Sequence, residues 1–326
     1  MNLIIPVKSG GRTQFFRSHP SLPAPAGSKV YDGDGLRGDF DASQPMRFLG
    51  CDTAEMAYRV PISPTASKGS QKLDGPQWAT YLTDPFEEGA WPKFPDPGLH
   101  PLVQASLSAR CGPDAAANHA RHAAAGRQAL IDMIQADMAL VGHDPAQPLT
   151  LFVALSHEVF DSYGRLLAFV NTEVKDKDIR PRTYNERQIA LGMATPFFIW
   201  PNVDPFRGRA SVTDAALPPK QLRSLAAKGS LGRAREDARV ARSAGLGIYN
   251  PADPLKIPAF ELRMLGDRKL PSRWVIDLSA NADDPTILPP EGYPLIERAE
   301  DRLFIPEEYV PLFVQKGWQA AKLVRW

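Results

Sequence analysis

Residues 29–55 read KVYDGDGLRGDFDASQPMRFLGCDTAE, and this stretch holds the side chains best suited to chemistry: Asp32, Asp34, Arg47, Asp52 and Glu55. Val30 and Tyr31 lead into Asp32-Gly33-Asp34-Gly35, the pattern of a strand entering a tight turn where carboxylates converge. Residues 46–52 form an apolar, strand-like run that carries Arg47 and ends in Asp52-Thr53-Ala54-Glu55. Carboxylate oxygens suit a hard cation such as Ca²⁺ or Mg²⁺, and arginine offers a planar fork that fits two phosphate oxygens. The bland reading is two solvated turns joined by a hairpin, since Asp-Gly pairs are common hairpin turns. The stretch alone leaves both readings open.

The elements that must position these residues follow from periodicity. Residues 113–138 predict a helix, with Pro113 at its first turn, Asp114 near the positive end of its dipole, and Leu130, Ile131, Ile134 and Met138 on one stripe. His119 and His122 share a face of it, but no accompanying Cys or His supports zinc. Residues 149–155, LTLFVAL, read as a buried strand leading through His157 and Glu158 into a second strand over 161–170, as a hairpin. A helix over 185–194 is broken at Pro196, after which Phe197, Phe198, Ile199 and Trp200 follow. A basic helix over 230–243 turns Ala234, Ala238 and Ala241 inward and closes at Gly245.

Three motifs in order resemble the staphylococcal nuclease (thermonuclease-like) family. Arg47, Asp52, Thr53 and Glu55 fall in the register of its R-L-x-x-x-D-T-P-E strand after a DGDT-type turn; residues 160–170, FDSYGRLLAFV, look like its D-x-Y-G-R-x-L-A-Y strand; residues 185–194, NERQIALGMA, are similar to its N-E-x-L-V-x-x-G-x-A helix. The resemblance implies an α+β fold, mainly a five-stranded OB-type barrel with helices, over residues 29–255. It implies Ca²⁺, with Mg²⁺ or Mn²⁺ as alternatives, held by Asp34, Asp52 and the Thr53 carbonyl with Asp32 in support. Glu55 would act as general base, Arg47 and Arg165 would neutralise charge on phosphorus, and Tyr163 would hydrogen-bond a phosphate oxygen. Phe198 and Trp200 stand where the family's base-contacting tyrosines do. The implied reaction is hydrolysis of DNA or RNA phosphodiesters, as endonuclease or exonuclease, leaving 3′-phosphate ends. Three departures stand out: Gly35 for the family's Thr, Ala54 for its Pro, and Ser162 for a common Lys. They put metal affinity and substrate grip in doubt more than the chemistry. The alternative is a non-catalytic nucleic-acid or protein binding module on the same barrel, and a third reading is a nuclease held silent by its added segments.

At 326 residues the chain exceeds such a core: residues 1–28 extend it, 57–110 are inserted and 256–326 follow as an accessory segment. The insertion is rich in Pro and Gly, interleaved with Trp78, Tyr81, Phe86, Trp91 and Phe94. It is either a packing flap or a lid that overhangs the cleft and restricts which nucleic acid enters. A net charge of +1 excludes a bulk polycation, so distribution matters more: residues 207–242 are basic and 291–308 acidic, which gives either a phosphate-contacting face or a solvated helix. No long apolar span predicts a membrane helix, no secretory signal opens the chain, and Cys51 reads as a buried small hydrophobe, so a cytoplasmic location fits.

Overall fold

The computed structural model describes residues 5–9, 12–16, 21–22, 30–39, 43–144 and 146–323, which build an α+β fold of several sheets. Strands β1 (Ile5–Ser9) and β2 (Arg12–Phe16) pair with each other. Then come β3 (Ser21–Leu22), β4 (Val30–Asp32), β5 (Gly35–Asp39), β6 (Ser43–Phe48) and β7 (Gly50–Asp52). The hairpin of β8 (Ala57–Ser63) and β9 (Ala66–Lys72) precedes helices α1 (Pro76–Thr83), α2 (Pro101–Ser108) and α3 (Ala115–Leu140). Next are β10 (Leu149–Phe160), β11 (Leu166–Thr172), α4 (Tyr184–Ala190), β12 (Thr195–Ile199), α5 (Val212–Ala215), α6 (Pro219–Ala226) and α7 (Gly229–Ser243). The last described elements are α8 (Ala259–Asp267), β13 (Arg273–Asp277), β14 (Thr286–Ile287), β15 (Arg302–Pro306), α9 (Val310–Gln315) and β16 (Gln319–Ala320). Among the described residues, no helix is long and apolar enough to cross a membrane.

Two sheets position the acids. One has the order β3-β10-β11-β6-β5-β4, with β3 also paired to β5 through Ser21 and Asp39; the other runs β13-β15-β12-β7. Strand β6 passes into β7 at Gly50, whose φ of +77° lies in the left-handed region that favours glycine. Arg47 therefore stands on one sheet and Asp52 on the other. Asn185, buried near the start of α4, clamps that junction: its Nδ2 donates to the Leu49 and Ala168 carbonyls at 2.9 and 3.0 Å, and its Oδ1 accepts the Val170 N–H at 3.0 Å. One turn later Gln188 donates to the carbonyls of Gly33 at 2.6 Å and Gly126 at 3.0 Å, tying the acidic turn to α3. Contact demands glycine there, because a Cβ on Gly33 would stand 2.6 Å from Thr53 Cγ2 and 2.9 Å from the Gly126 carbonyl carbon.

The inserted and C-terminal segments pack on each other. Trp78, Tyr81, Leu82 and Val103 share one buried cluster with Leu262, Leu265, Val275 and Tyr293. Tyr81 donates its hydroxyl to the Leu265 carbonyl at 2.7 Å, and the Arg268 guanidinium lies 3.9 Å from the centre of the Phe94 ring while donating to the Pro85 and Pro92 carbonyls. The insertion's aromatics are thus mostly core, and of its residues Tyr58 alone lines the cleft described below. Residues 256–323 pack back on this framework: β15 pairs parallel to β12, which pairs with site strand β7.

Part of the basic run is neutralised within the fold, while Arg209, Lys220, Lys228 and Arg233 stay exposed. Arg235 and Arg239 pair with Asp301 at 2.7 and 3.2 Å, and Arg242 donates to Glu300 at 2.7 Å, so α7 docks its charges on the acidic segment. Glu300 and Asp301 are buried, which makes those pairings a condition of folding. Truncating the shared core should be costly: Trp78→Ala should lose about 3–5 kcal/mol of stability, measured as a shift in the denaturant midpoint at unchanged slope.

Candidate active site

Two arginines lie among three buried carboxylates. Arg47 Nη2 is 3.5 Å from Asp34 Oδ2 and closer still to Asp52 Oδ1. Arg263, from α8, donates Nη2 to Asp52 Oδ2 at 2.9 Å and Nη1 to Glu55 Oε1 at 2.6 Å. Backbone groups complete the set: Asp34 Oδ2 accepts the Thr53 N–H at 3.0 Å, and Asp52 accepts that of Phe260 in the first turn of α8. The Glu55 N–H donates to His119 Nε2 at 2.8 Å. That acceptor role puts the ring proton on Nδ1, which donates to the Ile257 carbonyl at 3.0 Å. Burial brings the His119 pKa down to about 4, so the ring is a neutral prop under Glu55. His122 faces the Asp253 carbonyl at 2.9 Å instead of sharing a ligand with His119.

The carboxylates differ in charge state because their partners differ. Burial, reinforced by Asp52 and Glu55 and opposed by Arg47, pushes Asp34 up to about 6. Burial also works against ionising Asp52, but Arg263 and Arg47 outweigh it and hold that carboxyl below its ordinary value. Asp32 is pushed well above the usual carboxylate range, first by burial and then by Asp34 and Glu55. A Cβ at Gly35 would stand 2.6 Å from Asp32 Oδ1, so glycine at that position leaves room for this carboxyl.

Above the cluster opens a cleft of about 570 Å³, whose lining includes Arg47, Arg165, Arg263, Lys269 and Arg273. Arg165 is oriented by its own turn: Asp161 Oδ2 accepts from its Nε at 2.7 Å, and Asp161 Oδ1 accepts the N–H groups of Tyr163 and Arg165. Its charge reaches Asp32, lowering that pKa against the dominant burial. Tyr163 is exposed at the cleft, its hydroxyl 3.5 Å from that of Tyr58. Phe198 and Trp200 are a correction. They are 2% and 0% exposed, and Trp200 donates Nε1 to the Ala215 carbonyl while packing edge-on against Tyr309 and Phe313. Strand alternation on β12 turns Phe198 into the core and Phe197 and Ile199 to the cleft, and Trp200, just past the strand, is also buried. The site residue that motif reading missed is Arg263. It lies beyond the three motifs, and only the helical face shared by Phe260, Arg263, Met264 and Asp267 in α8 hints at it.

The donor set suits a hard cation in kind. Asp34, Asp52 and the Thr53 carbonyl offer oxygen only, and Asp32 Oδ1 and Thr53 Oγ1 are buried without hydrogen-bond partners. The arrangement is nonetheless closed on itself: both Asp52 oxygens are engaged by arginine, and among the described residues no three His, Cys, Asp or Glu side chains are grouped to hold a metal. Arg47 would have to withdraw from Asp52 for the two aspartates to share an ion. No family model matches this chain, and no curated protein matches it either.

Asp34 carries a pH signature. Its folded pKa of about 6 exceeds the ordinary 3.8, so between these values the folded protein keeps a proton that the unfolded chain has released. This contribution to stability is present below 3.8 and is lost as pH rises through about 6. Metal-free protein should therefore lose stability relative to Asp34→Asn between pH 4 and 6.5, checked by paired denaturant titrations; parallel curves would remove the assignment.

Proposed function

We propose that the protein is a metal-dependent nuclease of the staphylococcal nuclease type that hydrolyses phosphodiester bonds in DNA or RNA. The observation that carries the reading is the meeting of Arg47, Asp34, Asp52 and Glu55 in one buried cluster beneath a cationic cleft that Arg165 also lines. The first four come from the acidic turn and the strand after it and Arg165 from a second motif, and solvated turns would leave them apart. An OB-type barrel belongs to the same proposal, supported by the circuit of pairings from β3 through β10, β11, β6 and β5 back to β3.

On this reading Asp34, Asp52 and the Thr53 carbonyl would hold the ion, Ca²⁺ by preference. When bound, the ion would act as a Lewis acid at the phosphate. Glu55 takes a proton from the attacking water, and its carboxylate is aimed from both ends: His119 fixes its backbone and Arg263 one oxygen. Arg47 and Arg165 would face the phosphoryl oxygens, where guanidinium donors stabilise the charge that builds as the water adds. The P–O5′ bond then breaks, the 5′-oxygen leaves and takes a proton from solvent, and the phosphate stays on the 3′ side. Asp161 locks the Arg165 side chain, which places that donor before substrate arrives. Tyr163 offers its hydroxyl to a phosphate oxygen at the cleft mouth.

The test is cleavage of labelled single-stranded DNA, duplex DNA and RNA by purified protein with Ca²⁺, with Mg²⁺ and with chelator. Arg165→Ala and Glu55→Gln should each lower turnover by about 100- to 1000-fold, the usual worth of one placed charge-stabilising or proton-accepting group. Wild-type rates in either variant would refute its role. Retained binding with no cleavage under any metal would instead identify a binding module.

A further inference from the structure

Among the described residues, the carboxylates that line the cleft are Asp161, Asp267 and Glu158. The first two are spent on cations: Asp161 takes Arg165, and Asp267 takes Arg59 at 2.6 Å, Lys269 at 3.6 Å and the Tyr58 hydroxyl. Glu158, on β10, makes no ion pair with any described residue and is held by an amide instead. Asn202, 1% exposed, donates Nδ2 to Glu158 Oε2 at 2.8 Å, and its Oδ1 accepts the Glu158 N–H at 3.2 Å and the Ser156 hydroxyl at 2.8 Å. The Asn202 N–H bonds the Ile199 carbonyl at 2.9 Å, which fixes the amide just past β12. Glu158 Oε1 has no hydrogen-bond partner among the described residues, and the residue is half-buried. One carboxylate oxygen is therefore pinned and the other is left to accept. The surroundings are cationic: burial and then Arg263 lower the Arg273 pKa, and Glu158 and Asp52 oppose them.

We infer that Glu158, oriented by Asn202, is a specificity-determining residue that accepts an N–H from the exocyclic amino group of a nucleotide base, selecting cytosine, adenine or guanine over thymine and uracil. A carboxylate repels phosphate. In a cleft lined by Arg47, Arg165, Arg263 and Arg273, its counterpart on a polynucleotide is thus a base edge, and the backbone is left to the arginines. Thymine and uracil offer their N3–H only between two carbonyl oxygens, which an acceptor repels, whereas an amino group brings two N–H donors. An acceptor fixed before the ligand arrives has little rotamer freedom left to lose on binding. The inference rests on the nuclease reading for the nature of the ligand, and Glu158 and Asn202 lie outside the proposed catalytic set.

The experiment is fluorescence anisotropy in chelator, where cleavage does not run, with short labelled strands of deoxycytidine and of deoxyuridine, whose bases differ only along the edge that carries the amino group. Wild type should bind the deoxycytidine strand about 10-fold more tightly, the usual worth of one hydrogen bond to a charged acceptor. Glu158→Gln, nearly isosteric, should close or reverse that gap with melting temperature near wild type. Asn202 still donates to the amide oxygen, and the new N–H groups then face the ligand and favour the uracil carbonyl. Equal wild-type affinity for the two strands overturns the inference without recourse to a variant, as does a gap that Glu158→Gln leaves unchanged. Where affinity in chelator is too weak to read, the ratio of kcat/KM for the two strands with Ca²⁺ carries the same comparison. Cleavage without discrimination would sink the role of Glu158 and leave the nuclease reading standing. Discrimination without cleavage under any metal would do the reverse, and neither binding nor cleavage of either strand would remove both.

Discussion

Everything near the cleft depends on how the protein keeps several ionised groups out of water. An unpaired buried carboxylate costs several kcal/mol, roughly the scale of a domain's whole net stability. Asp52, 1% exposed, meets this cost with two guanidinium groups and a helix N–H, whereas Asp34 has one long contact to Arg47 and the Thr53 N–H and is driven toward its neutral form. The cluster is balanced so that one acid is firmly charged and its neighbour is not. A group poised in this way responds to an added cation more readily than one already satisfied, which is why the pairing pattern bears on function as well as on folding.

The same constraint explains why the two segments that look like additions belong together. Arg263 must reach Asp52 and Glu55 from α8, and α8 is held by the insertion: Tyr81 donates its hydroxyl to the Leu265 carbonyl, and Trp78 and Leu82 share the cluster of Leu262 and Leu265. The insertion begins directly after Glu55, so the chain leaves the acidic cluster, builds half of a second core, and much later returns with the helix that completes both. A long-range ion pair of this kind needs a rigid carrier. The buried aromatics of residues 57–110 supply it, which gives them a role that a flap without contacts beneath it would not have.

Much of the site could be read from sequence because it is local. The acidic turn, the Arg47 strand, the Asp161 turn with Arg165 and the helix of Asn185 are each set by glycine, proline and periodicity within a few residues. What escaped is of another kind. Position along the chain points to Phe198 and Trp200, yet in a strand the side that a residue faces changes at every step, and Phe197 takes the cleft side. Arg263 is separated from Glu55 by 208 positions, and a single arginine in a helix carries no local mark of its partner. Charge along the chain likewise does not show that Asp301 and Glu300 will close over Arg235 and Arg242. Sequence reports what a segment wants, whereas ion pairing reports which segments meet.

Arg263 also bears on what a substrate would find. Arginine has five N–H donors, and two bonds to carboxylates do not exhaust them, so a group locked between Asp52 and Glu55 still faces the cleft with donors in fixed directions. Lysine in its place would hold one charge on a flexible stem and could not span both acids with a planar fork. Arg47 is held less evenly: it pairs closely with Asp52 but has only a 3.5 Å contact to Asp34, and Asp52 has Arg263 as a second partner. The asymmetry separates the two arginines: Arg263 bridges Asp52 and Glu55, while Arg47 bridges Asp52 and Asp34.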